Sequence, residues 1–256
     1  MIRTLTFIVI IFLTCGLLAQ DIATDRPDQT ETSATVGQGV LQIETGFVFS
    51  TFEVEPTQGI EETTGDYATT LLRYGLLDNI ELRLASAYTQ YEAVSGKVSG
   101  FQPLSIGTKI DIHPEKGWRP EVAFIGHLTL PVGDGFFNPQ FVAPDFRFSF
   151  SHGLSERFSL GYNIGMEWDG EHPKGSFVYT FALGRSVVGP LSVFAELFGE
   201  ERDGWAHHFD FGLTILVNPD IQLDTSYGFS LNGDRFHFFN AGVSARFDTG
   251  RRAGSG

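Results

Sequence analysis

His152 stands beside Ser151, and a serine next to a histidine is the raw material of nucleophilic hydrolysis. That chemistry needs both side chains on one face, oriented by a third polar group. Around them apolar and polar residues alternate with period two, so neighbours point opposite ways and the pair is split. No Gly-x-Ser-x-Gly elbow is present either. Metal chemistry fares no better. His113, His127 and His208 fall on the polar face of their stretches, while His152 and His207 fall near stretch ends on the other. A zinc-type site needs three or four converging ligands, and the spacing offers no such set. No catalytic, cofactor-binding or metal-binding residue is therefore assigned, and no cofactor is expected.

The remaining reactive-looking groups are charges placed at every second position among oily neighbours. They are Glu44, Arg73, Glu81, Arg83, Lys109, Asp111, Asp145, Arg147, Glu167, Glu196, Asp210, Asp224 and Arg246, eight acids against five bases. Lining a water-filled lumen, they would form a weakly cation-favouring eyelet. Paired, they would form a salt-bridged filling, because opposite partners on neighbouring strands offset the cost of burying a charge. Arg73, Glu81 and Arg83 lie on adjacent stretches, which favours pairing.

The elements that must position these charges are strands. Twelve stretches alternate apolar with polar or tiny residues: 39–52, 66–76, 80–91, 102–113, 121–132, 142–152, 157–168, 176–187, 191–200, 207–218, 221–231 and 236–247. In one of them Phe158, Leu160, Tyr162, Ile164, Met166 and Trp168 interleave with Ser159, Gly161, Asn163, Gly165 and Glu167. Compact turns at 77–79, 114–120, 153–156, 188–190 and 219–220 are rich in Gly, Pro, Asp and Asn. Between them come longer or more polar connectors at 53–65, 92–101, 133–141, 169–175 and 201–206. Asn232-Gly233-Asp234 is a tight hairpin signal on the long-connector side.

Short turns in strict alternation with longer loops, and an even strand number, describe a transmembrane up-and-down antiparallel β-barrel of about 12 strands. Alternation alone leaves open which face is oily, since a soluble barrel points its apolar set inward. Three features favour apolar-out. The polar face holds charges of both signs but little lysine. Strands of about 10 residues match a tilted membrane crossing, whereas soluble strands run nearer 5 or 6. Aromatic residues gather at strand ends, as Tyr88, Tyr91, Phe141, Trp168 and Tyr227 do, where interfacial girdles belong. Twelve strands lie between filled eight-stranded barrels and open 16-stranded porins, so partial occlusion is expected.

The ends add context. Arg3, the apolar run Leu5 to Leu13 and a small-residue exit near Ala19-Gln20 read as a secretory signal peptide over 1–20. The sole cysteine, Cys15, lies inside it, so the remainder can form no disulfide. Residues 21–38 form a polar segment on the periplasmic side. Either they tuck into the barrel mouth, Asp25, Arg26 and Asp28 meeting lumen charges as a plug, or they stay a solvated leader. The barrel spans 39–247, and 248–256 reads as a flexible tail. A formal charge of -14 argues against nucleic acid as a partner.

Thr24-Asp25-Arg26-Pro27-Asp28-Gln29-Thr30-Glu31-Thr32, followed by Gly39 to Phe47, resembles the opening of the outer-membrane family named for the meta-pathway of phenol degradation. Leu72-Arg73-Tyr74-Gly75-Leu76-Leu77-Asp78-Asn79-Ile80-Glu81-Leu82-Arg83 is similar to its second hairpin, and Leu128 to Gly133 and Gln222 to Gly228 also fit. The resemblance implies a Gram-negative outer-membrane barrel transporting small, often aromatic, compounds. It does not carry a substrate over. The sequence therefore points to a channel for passive uptake of small solutes, with outer-membrane lipid around it. Two other classes stand beside that reading: a structural or adhesive barrel using its acidic first loop (Glu53, Glu55, Glu61, Glu62), and a lipid hydrolase at the membrane rim. Pro131 and Pro144, facing each other across one loop and each lacking a ladder donor, suggest a weak point for sideways exit of hydrophobic solutes. Phe247 resembles the terminal aromatic that barrel-assembly machinery reads.

Overall fold

Period-two alternation produces strands throughout. The computed structural model describes residues 21–55, 60–232 and 235–250. The strands are β1 (Val40–Glu55), β2 (Ile60–Leu77), β3 (Ile80–Ala93), β4 (Gly96–Phe101), β5 (Leu104–His113), β6 (Glu121–Leu130) and β7 (Ala143–Gly153). They continue as β8 (Phe158–Glu167), β9 (Ser176–Val188), β10 (Leu191–Glu201), β11 (Trp205–Asn218), β12 (Ile221–Ser230) and β13 (Phe236–Asp248). Each pairs antiparallel with its neighbours. β1 joins both β2 and β13, so the sheet closes on itself and presents no wall edge to lipid.

The wall has twelve staves although there are thirteen strands. Ile80 to Ala85 of β3 pair with β5, whereas Tyr88 to Ala93 pair with β4. Pro103, which has no N–H to give a ladder, interrupts the stave between β4 and β5. Two connectors expected from the sequence are strands instead. Most of 92–101 folds as the β3–β4 hairpin, and 53–65 shrinks because β1 and β2 keep pairing, past an irregularity after Glu53, as far as Glu55 opposite Ile60. The physical reason is shared. These parts lack an oily face, so their alternation fades, yet backbone hydrogen bonds can continue without it.

Residues 1–20, expected from the sequence to be a signal peptide, residues 251–256 of the expected tail, and Gly233 and Asp234 of the expected tight turn lie outside the described residues. The last strand runs one residue past the expected end, to Asp248. Pro131 and Pro144 do not face each other. Thr129 pairs with Ala143, which puts Leu128 opposite Pro144 and leaves Pro131 beyond the end of β6.

Burial is inverted relative to a soluble domain. Glu44, Arg73, Glu81, Lys109 and Asp210 are fully buried, while Phe47, Leu82, Ile164, Phe211 and Leu223 are exposed. An apolar outer surface of this extent is stable only against lipid.

Candidate functional site

Asp21 to Gln38 run through the barrel and touch strands around most of its wall. Asp25 sits at the centre of a basic group. Its Oδ2 lies 2.7 Å from Arg83 and 3.4 Å from Arg73, and its Oδ1 accepts from Lys109 Nζ at 3.0 Å. Burial alone would raise the Asp25 carboxyl, but the Arg73, Lys109 and Arg83 charges hold it well below the usual carboxylate range. The three cations arrive from β2, β3 and β5 because each is an inward residue at similar height in the wall. Glu81 braces them, accepting from Arg73 Nε at 2.8 Å and lying 3.0 Å from Arg83. Glu44 adds a third acid, 3.0 Å from Arg73, and accepts the Asp25 backbone N–H at 2.9 Å.

Arg26 takes the opposite direction. Its guanidinium lies 3.1 Å from Asp224 of β12 and passes over Gly46 and Gly242, which pair directly on β1 and β13. A Cβ at Gly242 would stand 2.5 Å from Arg26 Nε, so the socket exists only because no side chain fills it. Further along, the Gln29 backbone N–H and the Thr30 hydroxyl donate to Glu196. The Glu31 carboxylate reaches Arg83 at 2.8 Å, and its carbonyl accepts from Ser149 and Asn163. The Ser33 hydroxyl donates to Ser151, and the Val36 N–H donates to Glu81.

The segment has space on both sides. Towards the long loops, a cavity of about 300 Å³ is lined by Asp28, Gln29, Glu31, Arg83, His127 and Arg147. Towards the short turns, one of about 280 Å³ is lined by Asp21, Thr35, Asp78, Asp111, Glu121 and Arg246.

The sequence from 24 to 247 matches the family model described as "Putative MetA-pathway of phenol degradation". The chain belongs to this family. No curated protein matches it. Among solved structures, the COG4313 outer membrane channel from Pseudomonas putida F1 is similar at 15% identity and a TM-score of 0.70, with 84% of this chain and 98% of that chain covered. The KdgM porin is similar at 7% identity and a TM-score of 0.52, covering 79% and 99%, and the NanC porin at 11% and 0.51, covering 80% and 98%. One is an outer membrane channel and two are porins, and at these identities the likeness is one of fold. The family match begins at Thr24 and ends at Phe247, so it takes in the lumen segment and the whole wall.

The charged positions that alternation places on the inner face do not all meet. Arg73, Arg83, Lys109, Glu44 and Glu81 converge on Asp25, and Asp224 holds Arg26. Asp145 and Arg147 stand on the long-loop side. Arg83 Nε donates to His127 Nε2 at 2.8 Å, so the ring proton is on Nδ1, which donates to Asp145 at 3.0 Å. Arg147 reaches Glu167 at 3.4 Å. Arg246 sits at the short-turn rim, 2.8 Å from Asp220, and Asp111 lines the cavity at the same end. Glu196 and Asp210 face each other from β10 and β11.

Sequence reasoning missed an aromatic patch inside the lumen. Phe198 stacks on His208 with centroids 5.1 Å apart and meets Phe238 edge-on at 6.2 Å. Phe198 and Phe238 are on β10 and β13, so their contact crosses the inner face of two strands. The signal was available: Phe198 and Phe238 share a parity with Glu196 and Asn240. Ser151 and His152 are split, as alternation requires. The serine hydroxyl bonds inward to Ser33 at 2.7 Å, while His152 stacks outside on Tyr162.

Proposed function

We propose that this protein is an outer-membrane channel for passive uptake of small solutes, and that its own residues 21–38 act as a plug across the lumen. The observation that carries the reading is the position of Asp25, ringed by Arg73, Arg83 and Lys109 from three staves. A solvated leader would not remain buried among them. In this reading the short turns and the segment's start face the periplasm, and the longer hairpins face outside. The Phe47, Phe239 and Tyr227 surfaces meet lipid, and the outward Phe247 near the end of β13 serves assembly. A family model naming phenol degradation and an outer-membrane channel of similar fold support small, often aromatic, solutes as cargo. A lipid hydrolase is not favoured, because the adjacent serine and histidine work on opposite faces.

The test is electrical. Mature protein lacking residues 21–32, reconstituted in planar bilayers, is expected to show single-channel conductance several-fold above the full chain. Equal conductance would remove the plug from the account. Liposome swelling with sugars, amino acids and aromatic acids then ranks the cargo.

A second reading rests on one feature of the wall. A groove of about 660 Å³ on the lipid face is bounded by Leu82, Ile106, Phe124, Leu128, Pro144 and Phe146. Pro144 supplies no ladder donor there, and Arg83, His127 and Asp145 lie just behind. Hydrophobic solutes that leave the lumen sideways would cross at this point. Pro144→Val should then slow whole-cell uptake of hydrophobic compounds and leave hydrophilic uptake unchanged. Unaltered hydrophobic uptake overturns the sideways route.

A further inference from the structure

Fourteen lysine and arginine side chains fall among the described residues, and ten of them pair with a carboxylate. The other four, Lys116, Arg119, Arg157 and Arg185, all lie at the short-turn end, on one arc of the wall between β5 and the end of β9. The long-loop end shows the reverse pattern. Lys97, Lys174, Arg202 and Arg235 are each matched there to an acid.

Hydrogen bonds join the arc. Both Glu115 carboxylate oxygens accept the Gly153 N–H, at 3.0 and 3.1 Å, so the β5–β6 turn leans on the β7–β8 turn. The Arg157 carbonyl accepts the Ser186 N–H at 2.9 Å, which ties that turn to β9. In the first turn Lys116 and Arg119 exchange backbone hydrogen bonds, leaving Gly117 (φ 63°) and Trp118 as a two-residue tip. Trp118 is 83% exposed, and the Arg119 guanidinium lies over its ring at 5.9 Å. Arg185 shows which way the arc faces. It shares the outward parity of Phe181 and Leu183 on β9, and its guanidinium lies over the Phe158 ring at 5.3 Å. A long cationic side chain on a lipid-facing surface carries its charge to the membrane boundary along its apolar stem. The acids of the arc do not meet it there: Glu115 is turned onto Gly153, and Glu156 makes no ion pair among the described residues. Cations facing water alone would need neither a lipid-facing member nor an exposed indole beside them.

We propose that this arc binds the phosphates of anionic phospholipids in the leaflet at the short-turn end, with Trp118 seated among the headgroups. Guanidinium and ammonium groups are donors only, and phosphate oxygens supply the acceptors they lack here. Basic residues at a membrane surface attract anionic lipid, and tryptophan prefers the interface. The surface is continuous with the oily wall, so a lipid already lying against Phe158 and Leu183 brings its headgroup to the arc. The channel reading makes the short-turn end periplasmic, and the leaflet is then the inner one of the outer membrane. The choice of leaflet rests on that reading, whereas the binding itself rests on the unpaired cations.

The chain has three tryptophans, so each rim can report on its own lipid. One form keeps Trp118 (Trp168→Phe, Trp205→Phe), and a second keeps Trp205 at the opposite rim (Trp118→Phe, Trp168→Phe). Both are reconstituted in vesicles of phosphatidylcholine and phosphatidylglycerol, with one lipid or the other brominated near the headgroup to quench the neighbouring indole. Phosphatidylglycerol is expected to be enriched severalfold beside Trp118, each cation at an anionic surface being worth about fivefold, and not beside Trp205. The enrichment should shrink as salt is added. It should vanish when Lys116, Arg119, Arg157 and Arg185 are all replaced by Gln, with heat-modifiable gel mobility reporting that the barrel has folded. If that variant does not fold, the salt response of the parent decides. No preference at Trp118, an equal preference at both rims, or a preference indifferent to salt overturns the proposal. So does displacement of brominated phosphatidylglycerol by lipopolysaccharide more readily than by phosphatidylglycerol itself. Orientation is read separately. Leu154→Cys, exposed in the β7–β8 turn, should escape a membrane-impermeant maleimide applied to intact cells. Labelling there overturns the inner-leaflet assignment and the channel's orientation together, whatever the vesicles show.

Discussion

Asp25→Ala is expected to raise single-channel conductance to the level of the chain lacking residues 21–32. The carboxylate compensates Arg83 and Lys109 and contributes to Arg73, all buried. Among the described residues, Lys109 makes no other ion pair. Arg73 retains Glu44 and Glu81, and Arg83 retains Glu31 and Glu81. Stripping one partner from a buried charge network costs about 3–5 kcal/mol. At about 1.4 kcal/mol per tenfold, the whole of that cost would weaken docking of the segment by roughly two to nearly four orders of magnitude. The loss divides between undocking and a weaker wall, so heat-modifiable mobility should be measured beside conductance. Asp25→Asn separates charge from shape, since its amide oxygen can still accept the Thr32 N–H that Asp25 accepts at 2.8 Å. An Asp25→Ala channel with wild-type conductance and wild-type thermal behaviour would contradict the electrostatic clamp.

Gly242→Val should have the second largest effect, through the Arg26 socket. The three atoms nearest a new Cβ at this position all belong to the Arg26 guanidinium, the closest at 2.5 Å. Valine is a favourable strand residue, so the wall tolerates it and the arginine must move. Asp224, buried on the facing strand, then loses its cation. Gly46 is the less clean choice, because its Cβ would also strike the Ala241 carbonyl at 2.4 Å. Gly242→Val and Arg26→Ala are each expected to raise conductance severalfold, and the double variant no further than the larger single effect. Residues acting through one contact are non-additive in this way. Additive increases would show that Gly242 acts on something other than Arg26.

Both predictions depend on how a barrel uses its interior. A soluble protein excludes water from an oily centre, but here the oily side chains face lipid and the interior must be completed by charge. Twelve staves enclose more volume than their own side chains fill. The leading polar segment supplies the missing groups, entering with Asp25 for the cations and Arg26 for Asp224.

Much of this was legible in the chain as written. Period-two alternation in runs such as Phe158 to Trp168 identifies strands and their two faces, because side-chain direction in a strand is fixed by parity alone. The turn residues and the resemblance to the phenol-degradation family gave the barrel, and the family match over 24–247 agrees with it. Where alternation fades, at 53–65 and 92–101, strand length was misjudged, since hydrogen-bond ladders leave no mark in hydropathy. Parity also assigned Arg73, Glu81, Glu196 and Asp210 to the inner face. It could not say which inner charges meet, because that depends on register and on closure of the ring, which bring residues far apart in sequence to one height. Nor could it say where residues 21–38 lie: a polar segment suits water and a charged lumen equally well. Only the folded wall, with three cations converging on Asp25 and two glycines making room for Arg26, decides between them.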